Sequence, residues 1–369
     1  MYKILYLTGI PAPYRIDLFN EMGKESNLTV CFLSATQQDR NVQWQSQKAK
    51  NFRSVIFNNT PLNNKKIDFS MLKYVYFCHA QYEVIVFHGY ASLAAIFSIC
   101  FMRLKRLNYG IEVDGGIIPS KENYFKKLLK KFLIKGARFW LSSSKETTDF
   151  LVYYGANPAH IYEYPFTSLF TRDILLKVPD VVQKKSLRRE LKITENQVVI
   201  SVGQFIHRKG YDVLLKAAKN LPKDIGVYII GDNPPAEYLT LQKDLNLTHV
   251  HFVGFQSKEE LKKWYQAADL FVLPTREDIW GLVINEAMAQ GLPIITTDKC
   301  IAGLKLVKDG ENGYIIPTED VEALCHAISR TFAQDYRIMG QRSLDTIQCY
   351  SLEISASRHL DILKHKIKK

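Results

Sequence analysis

The sequence has no C-x-x-C pair: its six cysteines, Cys31, Cys78, Cys100, Cys300, Cys325 and Cys349, are scattered over 369 residues. That spacing excludes a zinc ribbon and a dithiol redox motif. No G-x-G-x-x-G follows an apolar run, and no G-x-x-x-x-G-K-[ST] occurs, so neither the dinucleotide fingerprint nor a P-loop is present. There is no D-x-D, since Asp269, Asp278 and Asp298 stand far apart. The opening MYKILYLTGIPAPYR lacks a basic n-region and a small-residue cleavage site, which argues against a signal peptide and for a reducing cytoplasm. With 47% hydrophobic and 23% charged residues, the composition excludes a disordered chain and a disulfide-bonded miniprotein.

Acidic residues are scarce in the first half. Residues 1–180 carry a net +9 of the total +12, and such asymmetry points to a partner for that half. The densest basic block is Lys121 to Arg138. Phe125, Leu128, Leu129, Phe132 and Leu133 fall at helical spacing there, with Lys126, Lys127, Lys130 and Lys131 between them. A basic amphipathic helix can lie on an anionic membrane surface; the alternative is a core-facing helix with a solvated lysine face. Nucleic acid is disfavoured, because no recognition motif accompanies the charge. Val84 to Met102 lacks Asp, Glu, Lys and Arg and is long enough to approach a membrane span. His88-Gly89-Tyr90 interrupts it, so a buried strand, a turn and a buried helix are expected instead.

The chain alternates strands and helices twice over. KILYLTG, LTVCFLS, VIVFHGY, RLNYGIEVD and ARFWLSSS read as strands, with helices at 91–106, 121–135 and 145–154. A polar stretch follows, read as a linker without a strand and a helix opening the next domain. QVVISVG, VYIIG, HVHFVG, DLFVLPT, LPIITT and GYIIP are the second series of strands, with helices at 212–221, 281–290 and 319–334. The expected fold class is α/β: two Rossmann-like doubly wound domains facing a cleft, spanning 1–180 and 181–350. A C-terminal helix over 351–369 is expected to cross back to the first domain.

Two features of the second half suit a phosphate. Gly203 and Gly210 bracket a strand-to-helix loop that carries Arg208 and Lys209; cations beside a helix N-terminus suit a diphosphate. Gly281 opens the helix 281–290, leaving its first N–H groups approachable at the positive end of the helix dipole. Glu286 lies too deep in that helix to cap it and can accept hydrogen bonds from hydroxyls.

PTREDIWGLVINEAMAQGLPIITT resembles the signature of retaining, nucleotide-sugar-dependent glycosyltransferases of family 4, which have the GT-B architecture. SVGQFIHRKGYDVLLKAAKNL, the VGF at 253–255 and DGENGYIIP resemble it too, in matching order over about 140 residues. TGIPAPYRIDLFNEM, GGIIPS and YGANPAHIYEYPFTS are similar to capsule, exopolysaccharide and lipopolysaccharide members.

The resemblance implies roles for individual residues. Glu286 matches the family's ribose-binding Glu. Eight positions earlier Asp278 replaces the Glu that contacts the donor sugar, with Glu277 as rival. Lys209 matches the phosphate-binding Lys, whereas the family's phosphate Arg is Gln204 here, which loses a bidentate donor. Arg208 either restores that charge or projects to solvent. Lys305 stands where many relatives have Glu. On the first domain, Glu112, Asp114 or His88 occupies the zone of a family His, and Gly9 lets the backbone approach the diphosphate. Gly203, Phe255, Gly281, Leu282 and Val283 complete the implied donor-binding set, and Asp114, Lys209, Arg208 and Asp278 the catalytic one.

The implied chemistry is same-face transfer in which the leaving diphosphate takes the acceptor's proton and the protein stabilises the charge on it. No metal or resident cofactor is expected; a UDP- or GDP-linked sugar is the co-substrate. The implied acceptor is a glycan or lipid-linked glycan. The expected location is cytoplasmic, peripheral to the inner face of the membrane. The alternatives are a catalytically weakened GT-B partner subunit, motivated by Gln204 and Asp278, or a GT-B epimerase or phosphorylase.

Overall fold

The computed structural model describes residues 1–35, 48–59, 69–119 and 121–367; Ser120, the last residue of GGIIPS, lies outside them. The chain forms two compact units, one of residues 1–168 with 350–369 and one of 169–349.

The first unit is built from β1 (Lys3–Thr8), α1 (Pro13–Gly23), β2 (Asn27–Phe32), β3 (Arg53–Ile56), α2 (Ser70–Cys78), β4 (Val84–His88), α3 (Leu93–Leu104), β5 (Gly110–Val113), α4 (Tyr124–Lys135), β6 (Phe139–Ser142), α5 (Lys145–Tyr153) and β7 (Ile161–Glu163). Its sheet is parallel, in the order β3-β2-β1-β4-β5-β6-β7. Strand order reverses between β1 and β4, and in such sheets that switch point opens a crevice at the strands' carboxyl ends.

The apolar run 84–102 resolves into β4, a turn and α3. Its β-branched start, VIV, favours a strand. Gly89 turns the chain at φ +81°, and the Ser92 side chain caps α3 by accepting from the Ala95 N–H. No helix among the described residues is long and apolar enough to cross a membrane.

The second unit comprises α6 (Val181–Glu190), β8 (Gln197–Val202), α7 (Tyr211–Ala218), β9 (Ile225–Ile230), α8 (Ala236–Asp244), β10 (Val250–Val253), α9 (Lys258–Ala267), β11 (Leu270–Leu273), α10 (Leu282–Ala289), β12 (Ile294–Thr297), α11 (Ile301–Leu306), β13 (Gly313–Ile316), α12 (Val321–Phe332) and α13 (Tyr336–Ile347). Its parallel sheet runs β10-β9-β8-β11-β12-β13, with the switch point between β8 and β11. The last helix, α14 (Leu352–Ile367), packs on α1 within the first unit.

Three expectations need correction. The boundary falls at 168, not 180. Segment 169–180 is tied to the second unit: the Leu175 N–H donates to Ala289 O, and buried Asp173 pairs with Lys258 and Lys262, each at 2.9 Å. The polar stretch does contain a strand, β7, three residues long on the edge of the first sheet. The lysines of α4 are not all solvated. Lys127 Nζ donates to the Tyr153 hydroxyl, and Lys130 pairs with Glu122 at 2.6 Å.

That last correction turns α4 around. Leu133 and Ile134 join the core formed by α2, α3 and α5 over β1, β4 and β5. The stripe Phe125, Leu128, Leu129 and Phe132 is exposed.

Candidate active site

In the second unit, β8 ends at Val202 and the chain passes through Gly203 and exposed Gln204 into a single turn, His207–Lys209. Gly210 ends that turn at φ +70°, where a Cβ would stand 2.0 Å from the Pro274 carbonyl oxygen. Only glycine permits so close an approach, and it brings the loop after β8 against the loop after β11. The contact is stitched by hydrogen bonds. Arg208 O accepts from the Arg276 N–H and the Thr275 hydroxyl, both at 2.8 Å. Arg276 also grips Asp212 with two nitrogens at 2.9 Å each. Burial alone would raise the Asp212 carboxyl, but Arg276, together with Lys216, holds it below its ordinary value.

Across this seam, buried Lys209 reaches Asp278 Oδ2 at 2.6 Å, and Arg208 reaches Asp278 Oδ1 at 3.2 Å. Asp278 is held in turn by its own N–H, which donates to Lys299 O at 2.9 Å. Glu277 is exposed and offers only its carbonyl, at 2.7 Å from Arg208 Nη1. The structure therefore brings Lys209, Arg208 and Asp278 together and leaves the Glu277 carboxylate outside. Arg208 lies against the loop after β11 through the Glu277 carbonyl and Asp278, while its side chain stays partly open to solvent.

Gly281 stands at the N-cap of α10 with φ +99°, and a Cβ there would meet Cys300 Sγ at 2.9 Å. Leu282 and Val283, in the first turn, are half-buried. Glu286 lies a turn further, its Oε2 accepting from the Tyr265 hydroxyl at 3.2 Å. Phe255 is exposed just beyond β10, and Lys305 is half-buried in the last turn of α11.

The first unit carries a second cluster at its own switch point. Thr8, the last residue of β1 before Gly9, places Oγ1 2.9 Å from His88 Nδ1, and His88 Nε2 lies 3.0 Å from Asp114 Oδ2. Buried Arg15 bridges Glu112 and Asp114, and the Tyr164 hydroxyl donates to Asp114 Oδ1 at 2.9 Å. His359, from α14, stands 3.6 Å from Glu112 Oε2. Burial is the largest single influence and would raise both carboxyls, but Arg15 together with His88, and for Glu112 also His359, outweighs it. Asp114 falls to about 2 and Glu112 well below its ordinary value.

Glu112, Asp114 and His88 thus belong to one network. His88, Glu112 and Asp114 would offer three ligand atoms within 4.8 Å of one another. The guanidinium of Arg15 already stands against both carboxylates as their cation.

Sequence reasoning missed Arg15, Tyr164, His359, Arg276 and Tyr265. Arg15 left a signal: it occupies the stripe of α1 shared with Leu18, Phe19 and Met22, all buried. A charge inside an apolar stripe demands a buried partner.

Residues 183–342 match the family described as glycosyl transferases group 1. The chain is 31% identical over 176 residues to the lipopolysaccharide core biosynthesis glycosyltransferase LpsE of Rhizobium meliloti (strain 1021), covering 44% of this chain and 50% of that protein. It is 28% identical over 255 residues to a D-inositol 3-phosphate glycosyltransferase of Corynebacterium aurimucosum, covering 65% and 59%. The chain thus spans between half and three-fifths of the length of these curated relatives. Anabaena Alr3699/HepE, solved in complex with UDP, superposes with a TM-score of 0.79 at 17% identity over 98% of this chain and 100% of that one. HepE has also been solved in complex with UDP-glucose, matching at a TM-score of 0.74 and 15% identity over all of both chains. The likeness confirms the fold class: two Rossmann-like parallel-sheet domains of the GT-B type.

Proposed function

We propose that the chain is a retaining glycosyltransferase that moves a sugar from a UDP- or GDP-linked donor to a lipid-linked glycan in bacterial surface polysaccharide synthesis. The observation that carries this reading is the meeting of Lys209, Arg208 and Asp278 at the carboxyl ends of β8 and β11. Two cations and the N-terminus of α10 form the environment that a departing diphosphate requires, because charge develops on it as the anomeric C–O bond breaks. Asp278 faces the sugar hydroxyls and Glu286 the ribose. The acceptor hydroxyl bonds to the anomeric carbon on the face the diphosphate leaves, and its proton passes to the leaving phosphate. The group 1 match and the glycosyltransferase relatives support the reaction class.

A membrane acceptor is supported by the outer surface of α2, α3 and α4. It exposes Tyr76, Phe77, Phe97, Leu104, Tyr124, Phe125, Leu128, Leu129 and Phe132. The three helices contain no acidic residue, and Lys73, Lys126, Lys131 and Lys135 are exposed on them. Exposed apolar side chains on helices that carry cations and no acid fit an anionic bilayer, at the inner face of the cell membrane.

The test is transfer from radiolabelled UDP- and GDP-sugars to a lipid-linked glycan, with the product's anomeric configuration read by NMR. A product of inverted configuration overturns retention. Donor binding without any turnover or hydrolysis favours the weakened partner subunit, which Gln204 motivates.

A further inference from the structure

The Tyr265 side chain is a hydrogen-bond donor to the carboxylate of Glu286. It stands in the last turn of α9, fully buried, with its ring centroid 6.0 Å from that of Phe271 on β11. Its hydroxyl donates to Glu286 Oε2 at 3.2 Å. Burial, and then the Glu286 charge, push the phenol well above its ordinary value, so it remains a donor at any working pH. The neighbouring contacts lock the register of the two helices: Gln266 Nε2 donates to Gln290 Oε1 at 2.7 Å, and Gln290 Nε2 donates to Asp173 O at 2.8 Å.

Glu286 sits beyond the first turn of α10, where the N–H groups of the helix are already spent on its own carbonyls. A glutamate there has three rotatable bonds and needs an outside donor to fix its carboxylate. A buried phenol supplies one from a rigid ring with few torsions of its own. A charged acceptor makes the bond stronger than a neutral pair.

We infer that Tyr265 is a positioning residue, holding the Glu286 carboxylate in the one rotamer that meets the vicinal hydroxyls of the donor nucleotide's ribose. This rests on the reading of Glu286 as the ribose-binding acid. Tyr265 touches no substrate; it acts through Glu286.

The experiment is calorimetric titration of the full chain with UDP and GDP, and with the 2′,3′-dideoxy form of whichever binds, alongside donor kinetics. Tyr265→Phe keeps the ring and removes the donor. It should weaken the ribonucleotide about 5–10-fold and raise the donor KM by the same factor, with kcat within twofold. The dideoxy nucleotide should bind Tyr265→Phe and wild type equally, since it has no hydroxyl for Glu286 to meet. Equal losses for both nucleotides, or no loss for either, overturn the inference. Glu286→Ala separates the two readings. If Glu286→Ala weakens the ribonucleotide and Tyr265→Phe does not, positioning alone fails. If Glu286→Ala leaves affinity unchanged, the ribose assignment itself fails.

Discussion

Lys209 and Asp278, 69 residues apart, close to 2.6 Å between Nζ and Oδ2. A group expected to bind phosphate is thus neutralised by a group expected to bind sugar, before either ligand arrives. An incoming diphosphate must share Lys209 with Asp278.

Asp278→Asn should therefore separate binding from turnover. Removing the carboxylate charge frees Lys209 and Arg208 for phosphate, so the nucleoside diphosphate should bind about 3–10-fold tighter, while kcat falls. A charge-assisted contact of roughly 1 kcal/mol is enough for that shift. Titration of the variant checks it, and weaker nucleotide binding would remove the competition argument.

Lys209→Ala should lower kcat more than Arg208→Ala. Lys209 is buried beneath the loop, whereas the Arg208 side chain is 42% exposed and its charge is screened by solvent. Single-turnover rates of the two variants decide this. If Arg208→Ala proves the more damaging, the leaving phosphate is held by Arg208.

Glu286→Ala should reduce transferase activity at subsaturating donor at least tenfold with thermal unfolding unchanged, since a lost charge-assisted hydrogen bond is worth roughly 1.5–3 kcal/mol. Wild-type turnover in this variant would end the ribose assignment.

The Arg15 network predicts an acid-sensitive first unit. Asp114 and Glu112 are held below their unfolded values, so their contribution is complete above about pH 4.5 and is lost as pH falls toward 2. Arg15→Met leaves two carboxylates in the network without their cation and should cost about 3–5 kcal/mol at pH 7. The gap to wild type should narrow as pH falls through 4, because the stranded carboxylates then take up protons. Urea midpoints at pH 7 and pH 3.5 measure both effects, and a gap that is the same at both pH values would contradict the network.

Attachment to anionic vesicles should depend on both components of the outer helical surface. With Lys127 and Lys130 turned inward, only Lys126, Lys131 and Lys135 of α4 face solvent beside Phe125, which is 78% exposed. Each lysine is worth about 1 kcal/mol at an anionic surface, screened by salt. High salt should therefore release the protein only in part, and changing Phe125, Leu129 and Phe132 to Ser should abolish sedimentation. Full retention of that triple variant would show that α4 does not contact lipid.

The α/β alternation, the two sheets and the positions of the loops after β8 and β11 were legible in the residues, because strand and helix periodicities are local properties of the chain. The 84–102 run was resolved for the same reason: His88-Gly89-Tyr90 interrupts it within the window that periodicity samples. β7 and β3 were not foreseen. They are short edge strands whose residues are half-polar, and their pairing comes from the neighbouring strand. Spacing favoured Asp278 over its neighbour Glu277, but the partner of that carboxylate came from the fold: the close approach at Gly210 delivers Lys209 to it. Amphipathic spacing on α4 fixed a stripe without fixing its direction. Leu133 and Ile134 filled the core and turned Phe125, Leu129 and Phe132 outward. Arg15 meets a carboxylate 97 residues away. A sequence states that a buried charge needs a partner, but only the packed fold chooses that partner, because ion pairs form between groups that the sheets, and not the chain, make neighbours.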